Sequence, residues 1–193
     1  MDDTGTSLRK RLQEQRSLLS DAEQKAAANA IVGPVVAAMP ARPGVVAAYI
    51  AHGGELDVAP ATQALRERGW EIVLPVCGPD ASMEFCPWVP GDALVANKYG
   101  IGEPVSSPAR LDTINVVLVP GVGFDESGAR IGHGVGFYDR FFAKCFAADL
   151  DPLRLAVAHD VQVVVDRLSQ EPWDVAMHSV VTPTKVINIS PCA

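Results

Sequence analysis

The chain has 193 residues, 48% apolar and 20% charged, with 16 Lys+Arg against 23 Asp+Glu and a formal charge of −7. That length suits one folded unit burying about 70% of its unfolded surface, and the apolar share is too high for a disordered tail. The acid excess argues against non-specific nucleic-acid or anionic-membrane binding, though small anions need only a local cluster of donors; no apolar run approaches the roughly 18 residues of a membrane helix.

The start, Met1-Asp2-Asp3-Thr4, is not a secretory n-region, so a soluble cytoplasmic protein without nucleic-acid or membrane partners is expected. Ser7 is placed to cap a first helix with Leu8, Leu12 and Leu19 on one face. Ser20-Asp21-Ala22-Glu23 has the form of a capping box and opens a second helix that runs towards Met39, bent or broken at Gly33-Pro34. Residues 45–50 are a short apolar run, as in a buried strand. Residues 57–69 read as a helix, with Asp57 as N-cap, Pro60 in the first turn and Gly69 as the stop. Strands are predicted over 70–76 and 83–85. Residues 87–108 are rich in Pro and Gly and are expected to be mostly loop, with a helical turn near Ala93. The clearest buried strand is 113–119; a helix follows over 137–148 and a strand over 153–158. Residues 161–168 fit either a strand or a short helix, and 180–189 supply a last strand or two. Strands alternating with helices predict an α/β protein with a mostly parallel sheet covered by helices. No repeat or linker divides the chain, so 1–193 is expected to be a single domain with N-terminal helices (7–39) packed on the α/β core. Cys77, Cys86, Cys145 and Cys192 have no C-x-x-C spacing and are expected as unpaired thiols in a reducing compartment.

The most informative stretch is 119–142, VPGVGFDESGARIGHGVGFYDRFF, which joins the strongest strand to a helix. Ligands of open α/β sheets bind at such strand ends. Asp125-Glu126-Ser127-Gly128 is a tight turn by composition. The alternating Gly132, Gly134 and Gly136 allow positive φ and close approach to main-chain N–H groups, which before a helix N-terminus suit phosphate oxygens. Arg130 would add a charged donor, and Asp139 could hold a magnesium ion that bridges phosphates. Neither common nucleotide signature fits: Gly123 to Gly128 has P-loop spacing but Ala129 replaces the lysine, and Gly132 to Gly136 lacks the G-x-G-x-x-G spacing. From pattern alone two readings stay open: a phosphate loop of unassigned type, or a tight connection in which Asp139 is only a helix N-terminal charge.

The segment Pro120-Gly121-Val122-Gly123-Phe124-Asp125, then Gly128, Arg130, Ile131, Gly132, Gly134, Gly136, Phe137, Tyr138 and Asp139 resembles the 5-formyltetrahydrofolate cyclo-ligase family, also called 5,10-methenyltetrahydrofolate synthetases. Leu8-Arg9, Glu55, Leu74-Pro75, Tyr99-Gly100-Ile101, Glu103-Pro104 and Trp173-Asp174 match the family in the same order along nearly the whole chain. The resemblance implies a three-layer α/β/α fold related to sugar-phosphate isomerase-like sheets. It also implies MgATP-dependent conversion of 5-formyltetrahydrofolate to 5,10-methenyltetrahydrofolate, with ADP and phosphate released. In that reaction the γ-phosphoryl group goes to the formyl oxygen, and N10 then displaces phosphate from the iminium phosphate. By position, Arg9, Arg130, Gly132, His133, Gly134, Val135, Gly136, Phe137 and Tyr138 are implied for ATP, Asp139 and Asp174 for magnesium, and Ile50, Glu55 and Tyr99 for folate. No catalytic group is implied beyond those that position ligands. Phe85 and Trp88 are weaker folate candidates, with core packing as the alternative, while His52, His159 and His178 read as structural. A monomer is expected.

The chain departs from the family pattern at Gly5, where a lysine is usual, at His133 and Val135, and at Cys86, where many bacterial relatives have arginine. His133 either donates to a phosphate or fills space. Two alternatives are set against the cyclo-ligase reading: a sugar-phosphate isomerase of related fold without ATP, and a non-catalytic folate- or nucleotide-binding paralogue.

Overall fold

The computed structural model describes residues 3–189. Three helices open the chain: α1 (Asp3–Ser17), α2 (Asp21–Ala30) and α3 (Val32–Ala38). Helix α1 starts earlier than expected and carries Ser7 in its interior, because the lone Gly5 costs a helix only about 1 kcal/mol against alanine. Leu19 falls beyond its end, where Ser17 Oγ donates to the Glu14 carbonyl at 2.7 Å. The capping box forms as expected: Glu23 N donates to Ser20 Oγ, and Ser20 N donates to Glu23 Oε2 at 2.8 Å. The break comes at Ile31, just before Gly33-Pro34, which leaves Pro34 in the first turn of α3 where its missing N–H costs nothing.

Strand β1 (Val45–Ala47) is shorter than its apolar run. It leads to α4 (Ala59–Arg66), whose N-cap is Val58 and not the expected Asp57; Asp57, one residue earlier, still accepts the Ala59 N–H at 2.9 Å. Strands β2 (Glu71–Cys77) and β3 (Met83–Pro87) follow. The stretch expected to be loop contains a hairpin, β4 (Leu94–Ala96) with β5 (Gly102–Pro104), and no helical turn near Ala93. β4 is exposed and β5 half-buried to buried, and neither shows the alternation of a strand with one buried face, so no periodicity announced them. Next come β6 (Ile114–Val119), the hairpin strands β7 (Gly123–Asp125) and β8 (Arg130–Ile131), and α5 (Phe137–Phe146). The chain ends in β9 (Leu153–Val157), a 3-10 turn Asp160–Gln162, β10 (Val163–Val164), β11 (Ser179–Val181) and β12 (Val186–Asn188). The 161–168 stretch, which fitted either element, holds the end of that 3-10 turn followed by the short strand β10.

The main sheet has the order β12-β11-β9-β6-β1-β2-β3. Its five central strands are parallel, and β3 and β12 close the edges antiparallel. Alternate strand residues feed two cores. Val46, Val116, Leu118, Leu155 and Val181 face α3 and α4, against Ile31, Val35, Ala61 and Leu65. Ala47, Val117, Val119, Ala156 and Val180 face α5, against Phe141, Phe142 and Cys145. Period two on five strands, with a helix layer on each face, is what a buried parallel sheet requires. No helix among the described residues is long and apolar enough to cross a membrane.

The strand order reverses at β1. From there the chain goes one way to β2 and β3, and later returns on the other side to β6, β9 and β11. The carboxyl ends of β1 and β6 therefore diverge into separate loops, opening the crevice in which doubly wound sheets bind ligands.

Candidate active site

A cleft of about 1560 Å³ occupies that crevice. One wall is the loop 120–136 after β6 and the first turn of α5; the opposite wall is built from β1's end, β2, β3 and the β4–β5 hairpin. Helix α1 crosses the top with Ser7, Leu8, Arg9 and Arg11, and the segment 166–174 closes one side. Every residue assigned a ligand from the sequence lines this cleft: Arg9, Ile50, Glu55, Tyr99, Arg130, Gly132, His133, Gly134, Val135, Gly136, Phe137, Tyr138, Asp139 and Asp174.

Just before α5 the loop needs glycine at two positions. Gly134 (φ +91°) and Gly136 (φ +79°) hold left-handed backbone, and Gly136 is the N-cap of α5. No side chain caps that helix, so its leading N–H groups open on the cleft side of the loop. Cations surround them. Arg9 Nε donates to the Gly132 carbonyl at 3.1 Å, and Arg140 Nη1 donates to the Val135 carbonyl. Arg130, its side chain 9% exposed, pairs through Nη2 with Asp139 Oδ2 at 2.7 Å and lies 5.6 Å from the Tyr138 ring. Its Nε is buried without a hydrogen-bond partner. The expected phosphate donor and the expected magnesium carboxylate thus hold each other.

Asp174 caps its own turn, accepting the Glu171 N–H on Oδ2 at 2.8 Å. Among the described residues no group of three or more His, Cys, Asp or Glu side chains is placed to hold a metal. Asp139 and Asp174 are hard oxygen donors on one cleft. That fits magnesium, which typically takes one or two carboxylates and completes its shell with phosphate oxygens and water.

Glu55, its side chain 11% exposed, accepts the His52 N–H on Oε2 at 3.1 Å, and its Oε1 faces His133 Nε2 at 3.4 Å. His133 therefore spans from the glycine loop to the opposite wall. Burial, and second the charge of Glu55, push the Tyr138 hydroxyl well above the usual phenol range and keep it a neutral donor. Burial, then Glu103, push the Cys77 thiol up to about 11. Tyr99, 44% exposed, stands at the rim with Lys98 Nζ 5.0 Å from its ring. Trp173, 68% exposed, stands on the other side. Phe85 is a core residue, 2% exposed with its ring 4.9 Å from Phe141. Trp88 lies under Arg66 and borders a smaller hollow that shares Tyr49, Ile50 and Glu55 with the cleft. His159 and His178 lie outside the cleft, His178 accepting the Arg154 N–H on Nδ1 and His159 accepting the Gln162 N–H while its Nε2 is buried without a partner; His52 lines the cleft.

Several site-building roles escaped the sequence reading. Asp125, 1% exposed, accepts Ser127 N, Ser127 Oγ and Ala129 N on Oδ1 and Leu168 N on Oδ2, tying the glycine hairpin to the segment that bears Asp174. Glu103 Oε1 accepts both Cys77 N at 2.9 Å and Asn97 Nδ2 at 2.8 Å, fixing the hairpin that carries Tyr99. Arg16 is 4% exposed. Asp125 stood in the expected tight turn and Glu103 in the family match, but neither position named its partners; Arg16 left a fainter signal, continuing the Leu8, Leu12 spacing at i+4 as a charge on an apolar stripe.

The family model of the 5-formyltetrahydrofolate cyclo-ligase family matches residues 2–183. A 5-formyltetrahydrofolate cyclo-ligase of Escherichia coli K12 is 37% identical over 146 residues, which cover 73% of this chain and 79% of that protein. One from Mycolicibacterium smegmatis is 36% identical over 150 residues, covering 74% and 75%. The solution structure of Aquifex aeolicus 5,10-methenyltetrahydrofolate synthetase superposes with a TM-score of 0.81 at 26% identity, over 98% of this chain and 94% of that one. A Mycoplasma pneumoniae 5,10-methenyltetrahydrofolate synthetase shares the fold with a TM-score of 0.75 at 22% identity, over 93% and 99%.

Proposed function

The chain belongs to the 5-formyltetrahydrofolate cyclo-ligase family and is an enzyme of that kind, and from this premise we propose that it closes 5-formyltetrahydrofolate to 5,10-methenyltetrahydrofolate with hydrolysis of ATP to ADP and phosphate. The observation that carries the ATP-dependent form is the uncapped, glycine-led N-terminus of α5, ringed by Arg9, Arg130 and Arg140, opposite Glu55 and Tyr99 in one cleft.

The N-formyl oxygen is amide-like and a very poor leaving group. Phosphoryl transfer to it turns oxide into phosphate, and N10 can then attack the formyl carbon and expel that phosphate. ADP, phosphate and the methenyl ring are the products. This chemistry asks the protein for alignment and charge neutralisation more than for covalent participation. The loop amides between Gly132 and Tyr138 receive the phosphates, while Arg9 and Arg130 supply charge-assisted donors. Asp139 and Asp174 would hold magnesium, which supplies neutralisation of phosphate charge. For that, Arg130 exchanges its Asp139 partner for a phosphate oxygen. Glu55 accepts from pterin N–H groups, Ile50 packs on the ring, and Tyr99 stacks at the rim. His133, midway between loop and Glu55, is a donor to either ligand. The same reading takes the protein as a cytoplasmic, single-domain monomer with a sheet of sugar-phosphate isomerase-like type.

Absorbance of the methenyl product tests this directly. The expected result is product with MgATP and none when either ATP or magnesium is withheld. Product formed equally without ATP would overturn the ATP-dependent reading, and no folate product with or without ATP would leave room for the isomerase alternative. Folate and ATP binding with no product would make the chain a binding paralogue.

A further inference from the structure

Arg16 lies on the stripe of α1 that packs inward, next to Leu12, itself 2% exposed. A leucine or methionine would satisfy that stripe without desolvating a charge, and burying a guanidinium is costly unless every donor finds strong acceptors. Arg16 forms no ion pair among the described residues. Its partners are carbonyls from two different loops: Nη2 donates to Gly53 at 2.7 Å, in the loop that carries Glu55, and Nη1 donates to Gly121 at 3.3 Å, where the loop that carries the glycines begins. The Gly121 carbonyl also accepts Gln162 Nε2 at 2.7 Å, and Gln162 Oε1 accepts the His159 N–H at 3.0 Å. The guanidinium is therefore a staple across the carboxyl ends of β1 and β6, the two strands between which the cleft opens.

The same helix reaches the nucleotide loop further up. Arg9 precedes Arg16 by two helical turns, about 10 Å along the axis. It uses Nε on the Gly132 carbonyl, and its terminal nitrogens form no hydrogen bond among the described residues. Between the two arginines, Leu12 Cδ1 sits where a Cβ on Gly123 would be, 2.4 Å away, so α1 lies directly on the β7 backbone. Helix α1 is thus pinned near its C-terminus by Arg16, seated one turn earlier by Leu12, and presents Arg9 from near its middle.

We infer that Arg16 is a positioning residue: by stapling α1 to the Gly53 and Gly121 carbonyls it sets the reach of Arg9 towards the phosphates. This rests on the proposed nucleotide role of Arg9. Arg16 itself touches neither ligand.

A double-mutant cycle on the full chain tests it, with MgATP affinity as the readout and Arg9→Ala and Arg16→Met as the arms. Arg16→Met keeps the packing stripe and removes the staple, and is expected to weaken MgATP binding about tenfold. In the Arg9→Ala background it is expected to add less than about twofold, because the group it positions is gone. Arg16→Lys, which keeps the charge but reaches one carbonyl, recovers some of the loss, and it replaces Arg16→Met in the cycle should that variant fail to fold. Full additivity of the two substitutions, or unchanged affinity in Arg16→Met, would overturn the inference while leaving the ATP reading intact. A wild-type chain that binds no MgATP would remove the ATP reading, and the inference with it.

Discussion

The two walls of the cleft are made in different ways. The wall proposed for the nucleotide is one contiguous stretch, residues 119–142, whose shape comes mainly from backbone conformation: a strand, a tight hairpin, left-handed glycines and a helix start. The wall proposed for folate is gathered from residues 50–55, Cys77 and the β4–β5 hairpin, and single side chains hold it together, Glu103 on Cys77 and Asn97 being the central clamp. A contiguous wall written in backbone geometry tolerates little substitution at its glycines and charges. A wall assembled by side-chain clamps can lose one and still close, with poorer aim.

The largest difference should appear at Asp139. Asp139→Asn keeps an acceptor for Arg130, so the pair at 2.7 Å can persist and the fold with it. The amide is a poorer magnesium ligand and leaves the developing phosphate charge under-neutralised. Turnover is expected to fall at least about a hundredfold with little change in thermal midpoint. Near-normal turnover would take Asp139 out of the metal role.

Next in size is Gly136→Ala. A left-handed alanine costs about 1–2 kcal/mol, the scale of a tenfold change in affinity. The added methyl also approaches Arg140 Nη1 at 3.0 Å, which a flexible side chain can relieve. KM for ATP is expected to rise roughly tenfold with KM for folate nearly unchanged. Equal rises in both would mean that the loop does not belong to one ligand.

Glu103→Ala turns the comparison round. It deletes one acceptor serving two donors and loosens the hairpin that carries Tyr99. KM for folate is expected to rise about fivefold, a modest loss because the clamp is only half-buried, with KM for ATP within about twofold. A larger effect on ATP than on folate would show that the walls are not separable.

The same contrast explains what the sequence disclosed. The nucleotide wall was legible because its information is local: alternating glycines, a turn by composition and a strand-to-helix junction lie within one stretch, and the long resemblance sits there too. The parallel sheet was legible from short apolar runs alternating with capped helices, and the Ser20–Glu23 box was legible from spacing alone. The β4–β5 hairpin was not, because its strands are three residues each and carry no period-two pattern. Nor were the long-range clamps. The Asp125 bond to Leu168 spans 43 residues and the Arg16 bond to Gly121 spans 105, and no local signal encodes a partner that far away. Glu55, Tyr99 and Asp174 were placed only through resemblance, since isolated residues on separate loops have no pattern of their own.

Beneath both walls lies His159, 3% exposed, and it gives the smallest expected effect. Burial first, then the charge of Arg16, hold its imidazole below the usual range, against a smaller opposing contribution from the Gly54 backbone. Burial, then Arg154, does the same to His178. A ring whose folded pKa is lowered binds fewer protons folded than unfolded at pH just below 6.5. Stability there rises with pH, is complete above that value, and drains away as pH falls through it. Denaturation midpoints measured from about pH 7.5 down to 5.5 should decline on the acid side, more gently in His159→Gln, which removes one such group. Because this ring lies between the Gly54 loop and Arg16, its protonation should loosen both walls together, so KM for ATP and for folate are expected to rise in parallel over the same pH interval. A rise confined to one ligand would place the acid sensitivity in that wall and not beneath them both.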